Sequence, residues 1–155
     1  MPDSRPRTYD VLGVVVKFLA FPGERSNRYC LCEGTLQPGQ GVPPNSHPGD
    51  TESFYVIEGQ VEFTIDGKTA THGPGSFVMI PDGALHAFEA TGDTPARILV
   101  LNAPGEIHEA FFTKVGRPLP EGTSKAPPPD APPDIPAIMA IAAEAGITFP
   151  PPPAP

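Results

Sequence analysis

The 155-residue chain has no tryptophan, two cysteines and only 10 basic residues against 18 acidic ones, for a formal net charge of -8. With no cluster of positive charge, it lacks the phosphate-neutralising surface that nucleic-acid binding requires. Its longest apolar stretch, residues 11–21, is interrupted by Lys17. That stretch is far shorter than the roughly 20 apolar residues of a membrane span. We therefore predict no nucleic-acid partner and no membrane partner, and we expect a small-molecule substrate or ligand.

The two cysteines, Cys30 and Cys32, are two residues apart in a segment of strand-like composition, so their side chains point to one face. Two thiols are too few for a zinc site, and this spacing is poor for a disulfide between them. Residues 11–21 also lack the small-residue cleavage site of a signal peptide. We predict buried free thiols and a cytoplasmic protein, because thiols stay reduced in that compartment.

Short β-type segments separated by turn residues fill the chain between residues 11 and 103. They are residues 11–21, 28–36, 53–57, 61–65, 77–80, 85–88 and 97–101. Apolar and polar residues alternate in 61–65, which indicates a strand with one buried face. Asp66-Gly67 predicts a tight hairpin turn, because glycine takes positive φ without steric cost. The succession predicts an all-β sandwich or barrel.

The composition changes after Gly116, since 13 of the 24 prolines lie in the last 39 residues. We predict a tail over residues 1–10, one β-domain over 11–116, and a proline-rich extension over 117–155. Within the extension, residues 135–145 predict a short helix with Asp134 as N-cap and Gly146 just past the end. Its apolar stripe predicts docking on the barrel or on a second subunit; the alternative is a disordered tail with a transient helix. The stripe comprises Ile138, Ile141, Ala142 and Ala145.

Two groups of residues with fixed spacing carry the chemistry. The first is Gly39, Asn45, His47, Glu52 and Gly59, and the second is Gly75, Pro81, Asp82, Gly83 and His86. Asn45 and His47 are two apart in an extended segment and so share a face, and Glu52 returns on the next strand. Buried imidazole and carboxylate groups need compensation, which a divalent cation supplies.

These groups resemble the two signature motifs of the cupin superfamily. The resemblance covers about residues 11–116 and extends to the small single-domain cupins akin to quercetin 2,3-dioxygenase, through residues 43–44, 54–59, 73–78 and 86–88. It implies a cupin double-stranded β-helix, or jelly-roll barrel, with a short C-terminal helix in a proline-rich extension. It also implies a homodimer, because members of the family usually pair their barrels.

The resemblance further implies one divalent transition metal ion, which could be iron, nickel, copper, manganese or zinc. His47, Glu52 and His86 occupy ligand positions, whereas Asn45 stands where the superfamily has its first histidine. An amide oxygen is a weaker donor than imidazole. Asn45 is therefore expected to lower the metal affinity as a ligand, to leave a coordination position to water, or to hydrogen-bond to a bound water.

By the same resemblance, we expect a metal-dependent dioxygenase that acts on an aromatic or enol-type small molecule, with Glu52 also accepting a substrate proton. Two alternatives stay open: a non-catalytic small-molecule-binding cupin that has lost its metal, and a non-redox metal-dependent isomerase.

Other polar residues of the chain are expected to be structural. We predict that His72 and His108 are solvated surface residues, the first in a turn and the second in a short helix after Gly105. Glu58 ends a strand and is predicted to serve a turn or a salt bridge. Core packing is expected first for Phe63, Phe77, Met79 and Phe88.

Overall fold

The computed structural model describes residues 4–151 and 154–155. In that part of the chain the strands are β1 (Thr8–Val11), β2 (Val14–Ala20), β3 (Cys30–Leu36), β4 (Gly41–Asn45), β5 (Thr51–Glu58), β6 (Gln60–Ile65), β7 (Lys68–His72), β8 (Phe77–Ile80), β9 (His86–Thr91), β10 (Ala96–Ala103) and β11 (Arg117–Pro118). The helices are α1 (Glu106–Val115) and α2 (Ile135–Ala145), with a 3-10 turn at Glu24–Ser26.

The strands form two antiparallel sheets. One has the order β11-β1-β2-β3-β10-β5-β8 and the other the order β4-β9-β6-β7. Apolar side chains from both sheets meet in one core, in which Phe18, Phe21, Phe54 and Phe63 are almost completely buried. The Phe54 and Phe63 rings, from opposite sheets, lie 5.0 Å apart between centroids. The all-β prediction is confirmed.

The strand predicted over residues 11–21 is present as β2 (Val14–Ala20), but it begins later than predicted because the chain reverses at residues 12–13. Leu12 and Gly13 have φ angles of 54° and 95°, so the chain forms a tight turn between β1 and β2. Asp10 Oδ1 accepts a hydrogen bond of 2.8 Å from Gly13 N and holds the turn closed. Val11 and Leu12 extend the apolar run of β2 back into the turn, so the sequence does not reveal it.

Strands β4 and β7 have no counterpart in the sequence prediction. Strand β4 contains Pro43 and Pro44, which cannot donate ladder hydrogen bonds, and it lies at the edge of its sheet, where this loss is tolerated. Strand β7 is largely exposed and has few apolar residues. It is held by β6 across the predicted Asp66-Gly67 turn, in which both φ angles are positive.

The outer face of the larger sheet carries exposed apolar side chains. The prediction of core packing is wrong for Phe77 and Met79, which are 59% and 68% exposed. Their neighbours in β8, Val78 and Ile80, take the inward positions instead. Tyr55 of β5 lies opposite Phe77, and it is also exposed. An apolar face therefore extends to the β8 edge of the sheet.

The predicted C-terminal helix is confirmed as α2. Asp134 accepts a hydrogen bond from Ala137 N, and Gly146 ends the helix with a φ of 104°. The predicted stripe of α2 packs against α1, around the buried residues Phe111, Ala142 and Ile147. After α2, Thr148 forms a two-way backbone bridge with Ser46, at 2.9 and 2.8 Å. The extension therefore docks on the rest of the chain.

The predicted ends of the β-domain, residues 11 and 116, do not coincide with the ends of the larger sheet. Strand β1 begins before residue 11, and β11 lies after residue 116 and pairs with β1. The division at residues 10 and 116 remains a proposal.

Cys30 and Cys32 are buried free thiols as predicted, with their Sγ atoms 3.7 Å apart. Across the described residues, no helix is both long and apolar enough to cross a membrane.

Candidate metal centre

Four side chains with metal-binding atoms converge in the interior. His47 follows β4, Glu52 shares the inward face of β5 with Phe54, His86 begins β9, and His108 lies in α1. The four residues are only 3% to 5% exposed. Both sheets and a helix therefore contribute to one buried polar cluster.

Glu52 Oε2 lies at the centre of this cluster. It is 2.6 Å from His47 Nε2, 3.2 Å from His108 Nε2 and 3.4 Å from His86 Nε2. The Nε2 atoms of His47 and His86 are 3.2 Å apart. Ligand atoms bound about 2.1 Å from one ion at octahedral or tetrahedral angles are about 3.0–3.4 Å from one another. All but the shortest of these distances fall in that range.

The hydrogen bond at Nδ1 of each ring determines the direction of the lone pair on Nε2. His47 Nδ1 donates to Asp50 O at 2.8 Å, and His86 Nδ1 donates to Ala84 O at 2.9 Å. His108 Nδ1 donates to Asp50 Oδ2 at 2.7 Å. A carbonyl oxygen only accepts, so in their neutral form the His47 and His86 rings carry their hydrogen on Nδ1. Their Nε2 lone pairs therefore face the cluster, as the His108 lone pair also does when that ring is neutral.

The electrostatics of the cluster couple Glu52 to His108. Burial by itself raises the pKa of Glu52, but the charge of His108 and the contacts with the three rings hold that pKa well below its usual value. Burial by itself lowers the pKa of His108, but Glu52 and Asp50 together raise it to about 9. Burial likewise lowers the pKa of His86, yet the contacts with Glu52 and the Ala84 carbonyl raise it overall. Glu52 is therefore ionised at neutral pH and attracts positive charge.

The donor set fits a divalent transition metal. Among the described residues, Glu52 Oε2 has no hydrogen-bond donor in good alignment, although it is buried. Ligand atoms of His47, Glu52 and His108 all lie within 4.8 Å of one another, and His86 adjoins His47 and Glu52. Imidazole nitrogen and carboxylate oxygen suit zinc, copper, iron and nickel. These residues could therefore hold one such ion, in place of the proton on His108.

Asn45 lies next to this cluster, 5% exposed at the end of β4. Its amide nitrogen donates to Pro43 O at 3.0 Å and to His86 O at 3.3 Å. The second of these bonds ties β4 to the start of β9, where His86 lies. A role for Asn45 as a metal ligand remains a prediction.

The prediction that His108 is a solvated surface residue is wrong. Helix α1 follows β10 through Gly105, and its inward face buries His108 and Phe111. His108 also contacts Phe112, with ring centroids 5.7 Å apart. A histidine three and four residues before two phenylalanines lies on the apolar face of a helix, and this spacing is the signal that could have placed it inside.

The other predicted structural residues lie outside the cluster. His72 ends β7 rather than lying in a turn, and its half-buried ring contacts the Phe63 ring at 5.7 Å. Glu58 forms a salt bridge of 2.7 Å with Arg97, as predicted.

The chain is similar to known proteins both in sequence and in structure. A family model described as a cupin domain matches residues 33–102. A germin-like protein (subfamily T member 3) of Arabidopsis thaliana is 34% identical over 109 residues, which are 62% of this chain and 47% of that protein. Quercetin 2,3-dioxygenase of Bacillus subtilis is 31% identical over 80 residues, 52% of this chain and 23% of that enzyme. This chain thus spans less than half the length of either relative.

Among solved structures, a predicted oxalate decarboxylase from Thermotoga maritima superimposes with a TM-score of 0.56 at 25% identity. The match covers 58% of this chain and 79% of that structure. The structural match supports a jelly-roll arrangement of the two sheets. Sequence and structure together support the cupin superfamily as the family of this chain.

Proposed function

We propose that this cupin is a metal-dependent dioxygenase that acts on an aromatic or enol-type small molecule. The observation that carries the proposal is the buried Glu52 carboxylate, which faces Nε2 atoms of three imidazole rings at 2.6 to 3.4 Å. Desolvated groups in such an arrangement are costly without a cation. The similarity to quercetin 2,3-dioxygenase over 80 residues supports the choice of chemistry.

In this proposal His47, His86 and His108 hold the ion together with Glu52. When bound, a divalent transition metal supplies Lewis acidity toward a substrate oxygen and the redox capacity for dioxygen chemistry. Glu52 also accepts the substrate's hydroxyl proton, on the carboxylate oxygen that the ion leaves free, because the group is ionised. The low exposure of the four residues keeps bulk water away from the reacting groups.

The first measurement is the metal content of the purified, chelator-free protein by elemental mass spectrometry. Reconstitution with iron, nickel, copper, manganese and zinc follows, with oxygen uptake measured on flavonols and simpler enols. Uptake that requires the metal, with both atoms of ¹⁸O₂ in the product, supports the proposal. Stoichiometric metal without oxygen consumption would favour a non-redox isomerase. Failure to bind any of the five ions would make the chain a metal-free binding module.

We also propose a homodimer in the cytoplasm. Support for pairing comes from the exposed Tyr55, Phe77 and Met79 on adjacent strands, beside the β8 edge, which has no strand partner among the described residues. Apolar side chains and an open sheet edge are both features that a second copy would cover. Support for the cytoplasm comes from the free thiols Cys30 and Cys32.

A further inference from the structure

One acidic residue outside the proposed ligand set contacts two of its three imidazole rings. Asp50 is 1% exposed and lies in the loop between His47 and Glu52. Its backbone carbonyl accepts from His47 Nδ1 at 2.8 Å, and its carboxylate Oδ2 accepts from His108 Nδ1 at 2.7 Å. We infer that Asp50 is the positioning residue of the metal centre, an inference that rests on the proposed metal-binding function.

The second carboxylate oxygen of Asp50 holds the start of the helix that carries His108. Oδ1 accepts from Gly105 N at 2.7 Å, directly before α1. Gly105 has a φ of 95°, and a Cβ there would lie 2.5 Å from Cys30 N, so the chain enters α1 by a tightly constrained path. The Asp50 side chain therefore fixes both the start of α1 and the ring of His108.

This geometry orients Nε2 of His108 toward Glu52 Oε2, 3.2 Å away. A carboxylate that accepts from the outer nitrogen of a metal-binding imidazole fixes the ring orientation and raises the basicity of the inner nitrogen. The two contacts of Asp50 are chemically separable, because His47 is held by the backbone carbonyl and His108 by the side chain. A change of the side chain should therefore release His108 and leave His47 in place.

The test compares Asp50→Asn and Asp50→Ala with the unsubstituted full-length chain. Asn is nearly isosteric but has one acceptor oxygen for two donors, and Ala has none. We expect the affinity for Co²⁺ to fall about 10- to 100-fold in both. Pulsed EPR of the Cu²⁺-loaded protein should count one imidazole fewer, not two. Asp82→Asn is the matched control, because exposed Asp82 Oδ1 accepts from Gly49 N at 2.8 Å in the same loop region without contacting a ring.

A double variant separates positioning from a general loss of structure. Asp50→Asn in a His108→Ala background should bind Co²⁺ no more weakly than His108→Ala alone, because Asp50 would act through His108. A further loss of tenfold or more would overturn the inference. So would wild-type affinity and a full imidazole count in the Asp50 variants. If the unsubstituted chain binds neither Co²⁺ nor Cu²⁺, the proposed function itself fails, which is a different result.

A measurement on the unsubstituted chain tests the inference even if the variants do not fold. With ring-¹⁵N histidine and bound Zn²⁺, NMR should find His108 protonated at Nδ1 and coordinated through Nε2. Coordination through Nδ1 would overturn the inference, because that nitrogen could not then donate to Asp50.

Discussion

His108 Nε2 lies 3.2 Å from Glu52 Oε2, although α1 follows the last strand of the region that the cupin domain model matches. Asn45, in the place of a motif histidine, directs its amide nitrogen to two backbone carbonyl groups. The cluster nevertheless contains three imidazole rings, because α1 brings in the third from outside both sequence motifs. With asparagine at position 45, the cluster thus still holds three imidazole rings.

Replacement of His108 by alanine should weaken metal binding more than the loss of a residue that only supports a ligand. We expect the affinity for Zn²⁺ or Co²⁺ to fall by at least about 100-fold, since outer contacts alone are worth 10- to 100-fold. Competition with a chromophoric chelator measures the change. His72→Ala is the control, because its half-buried ring contacts Phe63. Equal affinities for the two variants would remove His108 from the ligand set.

A swap of positions tests whether His108 substitutes for the missing motif histidine. Asn45→His alone adds a fourth imidazole near three existing ones, and we expect it to raise metal affinity if residue 45 faces the ion. In a His108→Ala background, the same change should restore at least tenfold of the lost affinity, because it returns the third imidazole to its motif position. Isothermal titration with Co²⁺ on all four proteins gives the coupling energy. Strict additivity would show that the two positions serve different roles.

The proline-rich extension should support the metal centre through α2. Ala142 is 1% exposed where α2 packs against α1, so Ala142→Glu places a charge in an apolar contact and should undock the helix. We expect faster proteolysis of the extension and a loss of metal affinity of about tenfold, equivalent to about 1.4 kcal/mol. Ala143→Glu is the matched control, because the adjacent side chain is exposed. If both variants lost metal affinity, the added negative charge rather than the undocking of α2 would explain the loss.

Local patterns predicted most of the strands but missed β4 and β7, and the spacing of the two motifs predicted that His47, Glu52 and His86 would meet. Each depends on residues near in sequence or on a known arrangement of motifs. The position of His108 depends on how α1 folds back after β10, and no local pattern specifies that path. The exposure of Phe77 and Met79 was missed for a related reason. All four residues of β8 are apolar, so its sequence does not show which face is inside, and only the neighbouring strands determine that.

The exposed face of β5 and β8 should be buried in the predicted homodimer. Phe77 and Met79 are 59% and 68% exposed, so Phe77→Asp and Met79→Asp should not disturb the core. Each places a charge in an interface of a chain that already carries a net charge of -8, and together they should convert a dimer into a monomer. Sedimentation velocity at several concentrations measures the change, with Leu12→Asp as the control at an equally exposed apolar residue in the β1–β2 turn. A dimer that survives the double change would place the interface elsewhere, and a monomeric unsubstituted chain would contradict the dimer prediction.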